Sequence, residues 1–144
     1  MRQVFACALL VLALAASADP ALACSCARNP TAAQILEGST VVFTGTAQQS
    51  VPVAPGRSVT TFTVTESFKG VRTGTSVRVL HPSGSSASCG ITFAAGETHT
   101  RAADRSESDP GLTATLCSAW MFLPQVGLSA GLIKQMRAQA GKKN

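Results

Sequence analysis

The sequence predicts an all-β dominated domain. Five short strands form a small closed or partly open barrel, with a short helix before it and a helix after it. Three observations carry this expectation. Residues 59–68 (VTTFTVTESF) alternate: Val59, Thr61, Thr63 and Thr65 fall on one face, Phe62, Val64 and Glu66 on the other. Short β-branched and aromatic runs recur from residue 40 to residue 116, separated by Gly, Pro and Ser turn signals. Four cysteines, Cys24, Cys26, Cys89 and Cys117, remain once an N-terminal apolar leader is set aside, enough for two disulfides in an exported chain.

That leader occupies residues 1–23. Arg2 gives the positive start, and Val4–Ala18 is an apolar run too short to cross a bilayer. Asp19-Pro20 breaks the run. Ala21-Leu22-Ala23 then forms a small-x-small cleavage site directly before Cys24. Cleavage after Ala18 is the alternative; a polar, Pro-containing segment ahead of Cys24 favours the first site. Lipidation of Cys24 is disfavoured, because Ala21 stands where a lipobox usually has Leu. The chain is therefore expected to be secreted, extracellular or periplasmic, and monomeric. Residues 24–120 form its domain and 121–144 a basic, helical tail.

Pro30–Glu37 (PTAAQILE) reads as a short helix, with Pro30 in its first turn and Gly38 as its stop. Thr40–Gln48 is a strand with a bulge or bend at Gly45. Ser50–Ser58, with two prolines and a glycine, reads as a hairpin loop. Val59–Phe68 is the long alternating strand, and Lys69-Gly70 turns the chain. Thr75–His81 is the third strand, with Val77 and Val79 on one face. Pro82–Ser88 is a Ser-rich loop leading to Cys89-Gly90. Ile91–Ala94 and Thr98–Ala103 are strand pieces parted by Ala95-Gly96. Asp104–Gly111 is a polar loop, and Leu112–Leu116 is the last strand. Leu128, Leu132 and Met136, with Ile133 beside them, have helical spacing. A helix packed on the barrel is expected there. Contact with an anionic membrane through Lys134, Arg137, Lys142 and Lys143 is the alternative.

Charge excludes one class of function. The tail carries those four bases and no acid, whereas residues 24–120 carry seven bases and six acids. A nucleic-acid surface needs clustered bases and exposed aromatics on the body, which this composition lacks. His81 and His99 are the only histidines, and neither stands in a metal-binding or catalytic spacing; each reads as a strand residue with one polar edge. Cys89 near a histidine could imitate a nucleophile pair, but export favours a disulfide. Gly84–Gly90 lacks the lysine of a phosphate loop. Trp120 reads as a core plug beside Cys117. No catalytic residue and no cofactor emerge, and no enzyme is expected.

Cys24-Ser25-Cys26 holds two thiols too close to bridge each other easily, and three connectivities among the four cysteines stay open. This CSC start resembles that of the tissue inhibitors of metalloproteinases. Phe68-Lys69-Gly70, Ser85–Gly90 (SSASCG) and Leu112–Cys117 (LTATLC) followed by Trp120 resemble further stretches of that family in the same order. The resemblance implies a netrin-like domain, an OB-type five-stranded barrel. It also implies the pairs Cys24–Cys89 and Cys26–Cys117. In that family the free amine and carbonyl of the first cysteine chelate the zinc of a target metalloprotease. Carried over, Cys24 is the chelating residue and Ser25 enters the specificity pocket. Cys26, Ala27, Ala87 and Ser88 flank it. The zinc belongs to the protease. A third disulfide and a cysteine-rich second subdomain, present in the animal inhibitors, are absent here; Leu36 falls near one missing cysteine. The alternative is a non-inhibitory netrin-like module that binds a protein, glycan or membrane partner.

Overall fold

A computed structural model describes residues 30–85, 89–106, 111–119 and 128–141. The elements are α1 (Ala32–Gly38), β1 (Val41–Ala54), β2 (Arg57–Lys69), β3 (Ser76–Pro82), β4 (Thr98–Arg105), β5 (Leu112–Thr113), α2 (Leu116–Ala119) and α3 (Leu128–Ala140). The strands close into a barrel in the order β1-β2-β3-β5-β4, with β4 returning to β1. All neighbours are antiparallel except β3 and β5, which run parallel through Val79–Leu112 and Leu80–Thr113. The β-dominated class expected from the sequence is what forms.

Alternation fixes the interior. In β2, Ser58, Thr60, Phe62 and Val64 are buried and face inward. Phe62 and Val64 meet Phe43 and Ala47 of β1, Val77 and Val79 of β3, and Ala103 of β4 in one cluster. Phe43 and Phe62 are fully buried and meet edge to face with centroids 5.7 Å apart. Burying such a side chain stabilises the fold by about 1.5–3 kcal/mol. Gly45 lies at a register shift in β1, as its bulge reading anticipates. A Cβ there would stand 2.9 Å from the Thr63 carbonyl oxygen, so the ladder closes only over a hydrogen.

A second apolar cluster lies on the outside. Ala32 and Ile35 of α1, Val42 of β1, Ala102 of β4 and Met136 of α3 are buried together, with Phe68, Leu132 and Ile133 against them. The spacing of Leu132, Ile133 and Met136 thus places α3 on the barrel beside α1. Arg137, one residue on, grips Glu66 of β2 through Nε and Nη2 at 2.7 and 2.8 Å.

Several boundaries differ from the sequence reading, each for a local reason. Ser50–Ser58 is not a loop: β1 runs to Ala54, β2 starts at Arg57, and only Pro55-Gly56 turns. Pro52 is tolerated because β1 has a β4 partner only up to Thr46, so beyond it one edge needs no N–H. Ile91–Ala94 is not a strand. Ile91 and Phe93 are buried and Thr92 and Ala94 exposed, which imitates a strand pattern, but this segment joins no ladder. The last strand covers only Leu112–Thr113. Thr115 and Ser118 then cap one another, Thr115 N–H to Ser118 Oγ at 2.6 Å and Ser118 N–H to Thr115 Oγ1 at 3.3 Å, and helix α2 starts at Leu116. Helix α1 is opened by Thr31 rather than Pro30. The Thr31 hydroxyl accepts from the Gln34 N–H, and Gln34 returns the contact to the Thr31 N–H at 2.9 Å. Gly38 is the final helical residue and Ser39 the C-cap.

Candidate functional site

The connector between β3 and β4 is built on backbone contacts. Ser83 N–H donates to the Gly56 carbonyl at 2.9 Å, which ties its start to the β1–β2 turn. Ile91 N–H donates to Pro82 O at 2.8 Å, and Gly90 N–H closes back on Ser85 O at 2.9 Å. A Cβ at Gly90 would stand 2.5–2.7 Å from the backbone of Gly84, so the glycine after Cys89 is a packing requirement. Cys89 itself has a positive φ of 58°, an uncommon conformation for a non-glycine residue. The loop is thus pinched at its base.

Cys89 and Cys117 are both disulfide-bonded. Cys89 ends the pinched loop, and Cys117 sits in α2 directly after the last strand. Their expected partners Cys24 and Cys26 lie outside the described residues. So do Ser25, Ala27, Ala87, Ser88 and Trp120, along with the leader and the last two lysines. The structure therefore describes the base of the site read from the sequence and not its wedge.

Behind the connector, the barrel interior turns polar. His81 of β3 points inward, its Nδ1 3.1 Å from Pro82 O and its Nε2 2.7 Å from the Thr60 hydroxyl. Thr60 in turn lies 2.5 Å from Ser50 Oγ of β1. A carbonyl can only accept, so in the neutral ring Nδ1 carries the proton and Nε2 accepts from Thr60. The Thr60 hydroxyl then accepts from Ser50. The chain Ser50–Thr60–His81–Pro82 links the β1–β2 hairpin to the start of the connector.

Arg101 of β4 lies inside the same end of the barrel, 4% exposed. Its guanidinium carbon is 4.7 Å from the centre of the Phe93 ring, and Nη2 is 3.2 Å from Nδ1 of His99. His99 Nε2 faces a Glu97 carboxylate oxygen at 3.2 Å. Nδ1 accepts from the guanidinium, so Nε2 bears the proton of the neutral ring. Phe93 is the hub of this group, edge-on to Phe62, His81 and His99.

Burial dominates the electrostatics. It pushes His81 below the ordinary imidazole value, with nearby Arg101 adding to the shift against a backbone hydrogen bond that opposes it. Burial and Arg101 also push His99 down, against the Glu97 carboxylate. Burial brings Arg101 down to about 10. At neutral pH two neutral imidazoles therefore sit beside one cation. Thr60 and His81 pair like a hydroxyl and its base, but Thr60 is fully buried and meets no substrate. Each histidine is a strand residue, as its sequence reading has it; His81 uses both ring nitrogens in hydrogen bonds, whereas Nε2 of His99 makes only its charge contact with Glu97.

The sequence reading missed Arg101. The signal was present: His99, Arg101 and Ala103 occupy every second position of β4, so Arg101 had to face inward once Ala103 did. Among the described residues no group of three or more His, Cys, Asp or Glu side chains could hold a metal ion, and no helix is long and apolar enough to cross a membrane. No protein-family model matches the chain, and no curated protein matches it.

Proposed function

We propose that this chain is an exported metalloprotease inhibitor built on a netrin-like, OB-type barrel. The strand order β1-β2-β3-β5-β4 with a parallel β3–β5 pair supports the OB-type assignment. The observation that carries the functional reading is the pairing of a backbone-pinched connector with a disulfide-bonded Cys89 at its end. With the Cys24–Cys89 and Cys26–Cys117 pairs, Cys24-Ser25-Cys26 would be stapled to the connector on one side and to α2 on the other. A rigid wedge loses little entropy on binding. The Cys24 amine and carbonyl would close a five-membered chelate on the protease zinc and displace its water. Ser25 would fill the specificity pocket, flanked by Cys26, Ala27, Ala87 and Ser88.

The test uses the oxidised chain starting at Cys24 and a zinc endopeptidase with a fluorogenic peptide. The chelation reading expects stoichiometric inhibition that disappears on acetylating the amine or adding one alanine before Cys24. Equal potency of the blocked and free forms would overturn it.

One observation favours the second reading, a non-inhibitory binding module. Val51 and Val53 of β1, near the β1–β2 turn, are 45% and 52% exposed, an apolar pair on the surface of the hairpin. That reading expects a partner lost on V51S/V53S, with the chain's amine irrelevant.

A further inference from the structure

The mouth of the barrel formed by the start of β1, the start of β3 and strand β5 holds an open groove of about 360 Å³. Its floor is apolar. Val41 and Val77 belong to the interior cluster, and Val71 and Leu112 pack against it. Its rim is basic, with Arg78 of β3 and Arg105 of β4 both exposed on the groove. The register explains why these two arginines share one opening. Leu112 of β5 pairs with Val79 on one side and with Arg105 on the other, so Arg78 and Arg105 flank the same short strand.

Among the described residues, neither guanidinium is engaged by a carboxylate. The nearest acid in sequence, Asp104, is occupied, its Oδ1 accepting the Thr40 N–H at 2.7 Å. Thr40 also holds the Arg105 N–H through its hydroxyl at 3.2 Å, which fixes the backbone that carries Arg105. The remaining polar rim comes from Thr40 and Ser76, and no acid is present in the described lining. An opening with an apolar floor and two unpaired planar cations suits a ligand that is apolar at one end and anionic at the other. Arginine forks match a carboxylate in particular.

We propose that this mouth is a binding site for a carboxylate carrying a small branched apolar group, with Arg78 and Arg105 taking the carboxylate and Val41, Val77 and Leu112 the apolar end. Two sources share that chemistry: a free short-chain carboxylic acid, and the C-terminal residue of a peptide. The proposal does not depend on protease inhibition.

Backbone amide shifts of the isotope-labelled full chain, titrated with 4-methylpentanoate, test it. Saturable changes at Gly70, Val71, Val77 and Leu112 are expected, with a millimolar dissociation constant, about what so few atoms can supply. R78Q and R105Q should each weaken binding by about fivefold or more, and 4-methylpentanamide should not bind. A tripeptide ending in Leu, compared with its C-terminal amide, separates the sources. Binding of the free-carboxylate peptide at least as tightly as the acid points to a polypeptide terminus, and its exclusion points to the free acid. The absence of saturable shifts, wild-type affinity in both variants, or equal binding of sodium sulfate at the same amides would overturn the proposal. Both arginines are exposed, so the variants keep the fold, which the unperturbed amide spectrum verifies.

Discussion

His81 Nε2 lies 2.7 Å from the Thr60 hydroxyl in the barrel interior, where neither side chain is more than 2% exposed. The pair joins β2 to β3 through side chains as well as through the ladder, around an imidazole that burial holds below its ordinary value. Thr60→Val keeps the shape and removes the donor, leaving a buried ring nitrogen without its partner. The expected loss is about 1–3 kcal/mol, read as a lower urea midpoint with an unchanged slope.

Stability should fall on mild acidification. His81 and His99 are both held below the ordinary imidazole value, chiefly by burial. The unfolded chain therefore binds protons that the folded one resists. Stability is complete above the unfolded value of about 6.5 and declines as pH falls below it. Melting temperatures measured from pH 8 to pH 5 check the sign. His81→Gln should flatten the slope, and a slope unchanged in both H81Q and H99Q would place its origin elsewhere.

Gly90→Ala drives a methyl group into the Gly84 backbone, where nothing flexible can yield. The expected cost is about 1–3 kcal/mol. Gly38→Ala is the control, because a Cβ there meets nothing within 4 Å and the residue is helical. It should be neutral or stabilising by up to about 1 kcal/mol. Equilibrium denaturation of the two variants should move in opposite directions or leave only G90A displaced.

Met136→Ala tests the docking of α3. Met136 is fully buried among Ala32, Ile35, Val42 and Ala102. Its truncation should cost about 2–5 kcal/mol. Faster amide exchange in α3 than in β1–β4 would show that the helix detaches first. Uniform loss of protection would mean that helix and barrel unfold as one unit.

The proposed wedge carries its own pH signature. An α-amino group titrates near 7.7–8.0 and must be neutral to bind zinc, so inhibition should weaken as pH falls through that range. Potency that is flat from pH 9 to pH 6.5 on a protease stable across it would remove the amine from the mechanism.

Alternation made much of the barrel legible in advance. Val59–Phe68 declared which side chains face inward, and Val77 and Val79 did the same for β3. Where alternation was borrowed by a loop, at Ile91–Phe93, the strand reading failed, because burial period does not reveal whether a ladder partner exists. The hairpin was misread for the opposite reason. Pro52 looked like a breaker, and only the end of the β4 pairing at Thr46 shows that its edge is unneeded. At the site, the glycine of Cys89-Gly90 was visible as a motif, but its cause, the backbone of Gly84 beneath it, is a contact between residues that composition cannot pair. Arg101 escaped notice because a lone strand arginine usually lies in solvent, and its inward place follows only once Ala103, two positions on, is known to face the core.

A closed barrel offers no strand for another chain to extend, but β1 outruns β4, and among the described residues no strand pairs with its far edge from about Gln48 to Ala54. That stretch is where a second polypeptide could add itself as a neighbouring strand, and where copies could begin to stack. Pro52 sits in its middle and supplies no N–H. Replacing it with valine would add a backbone donor to this stretch. The same proline that disguised the strand in the sequence is thus a guard against self-association.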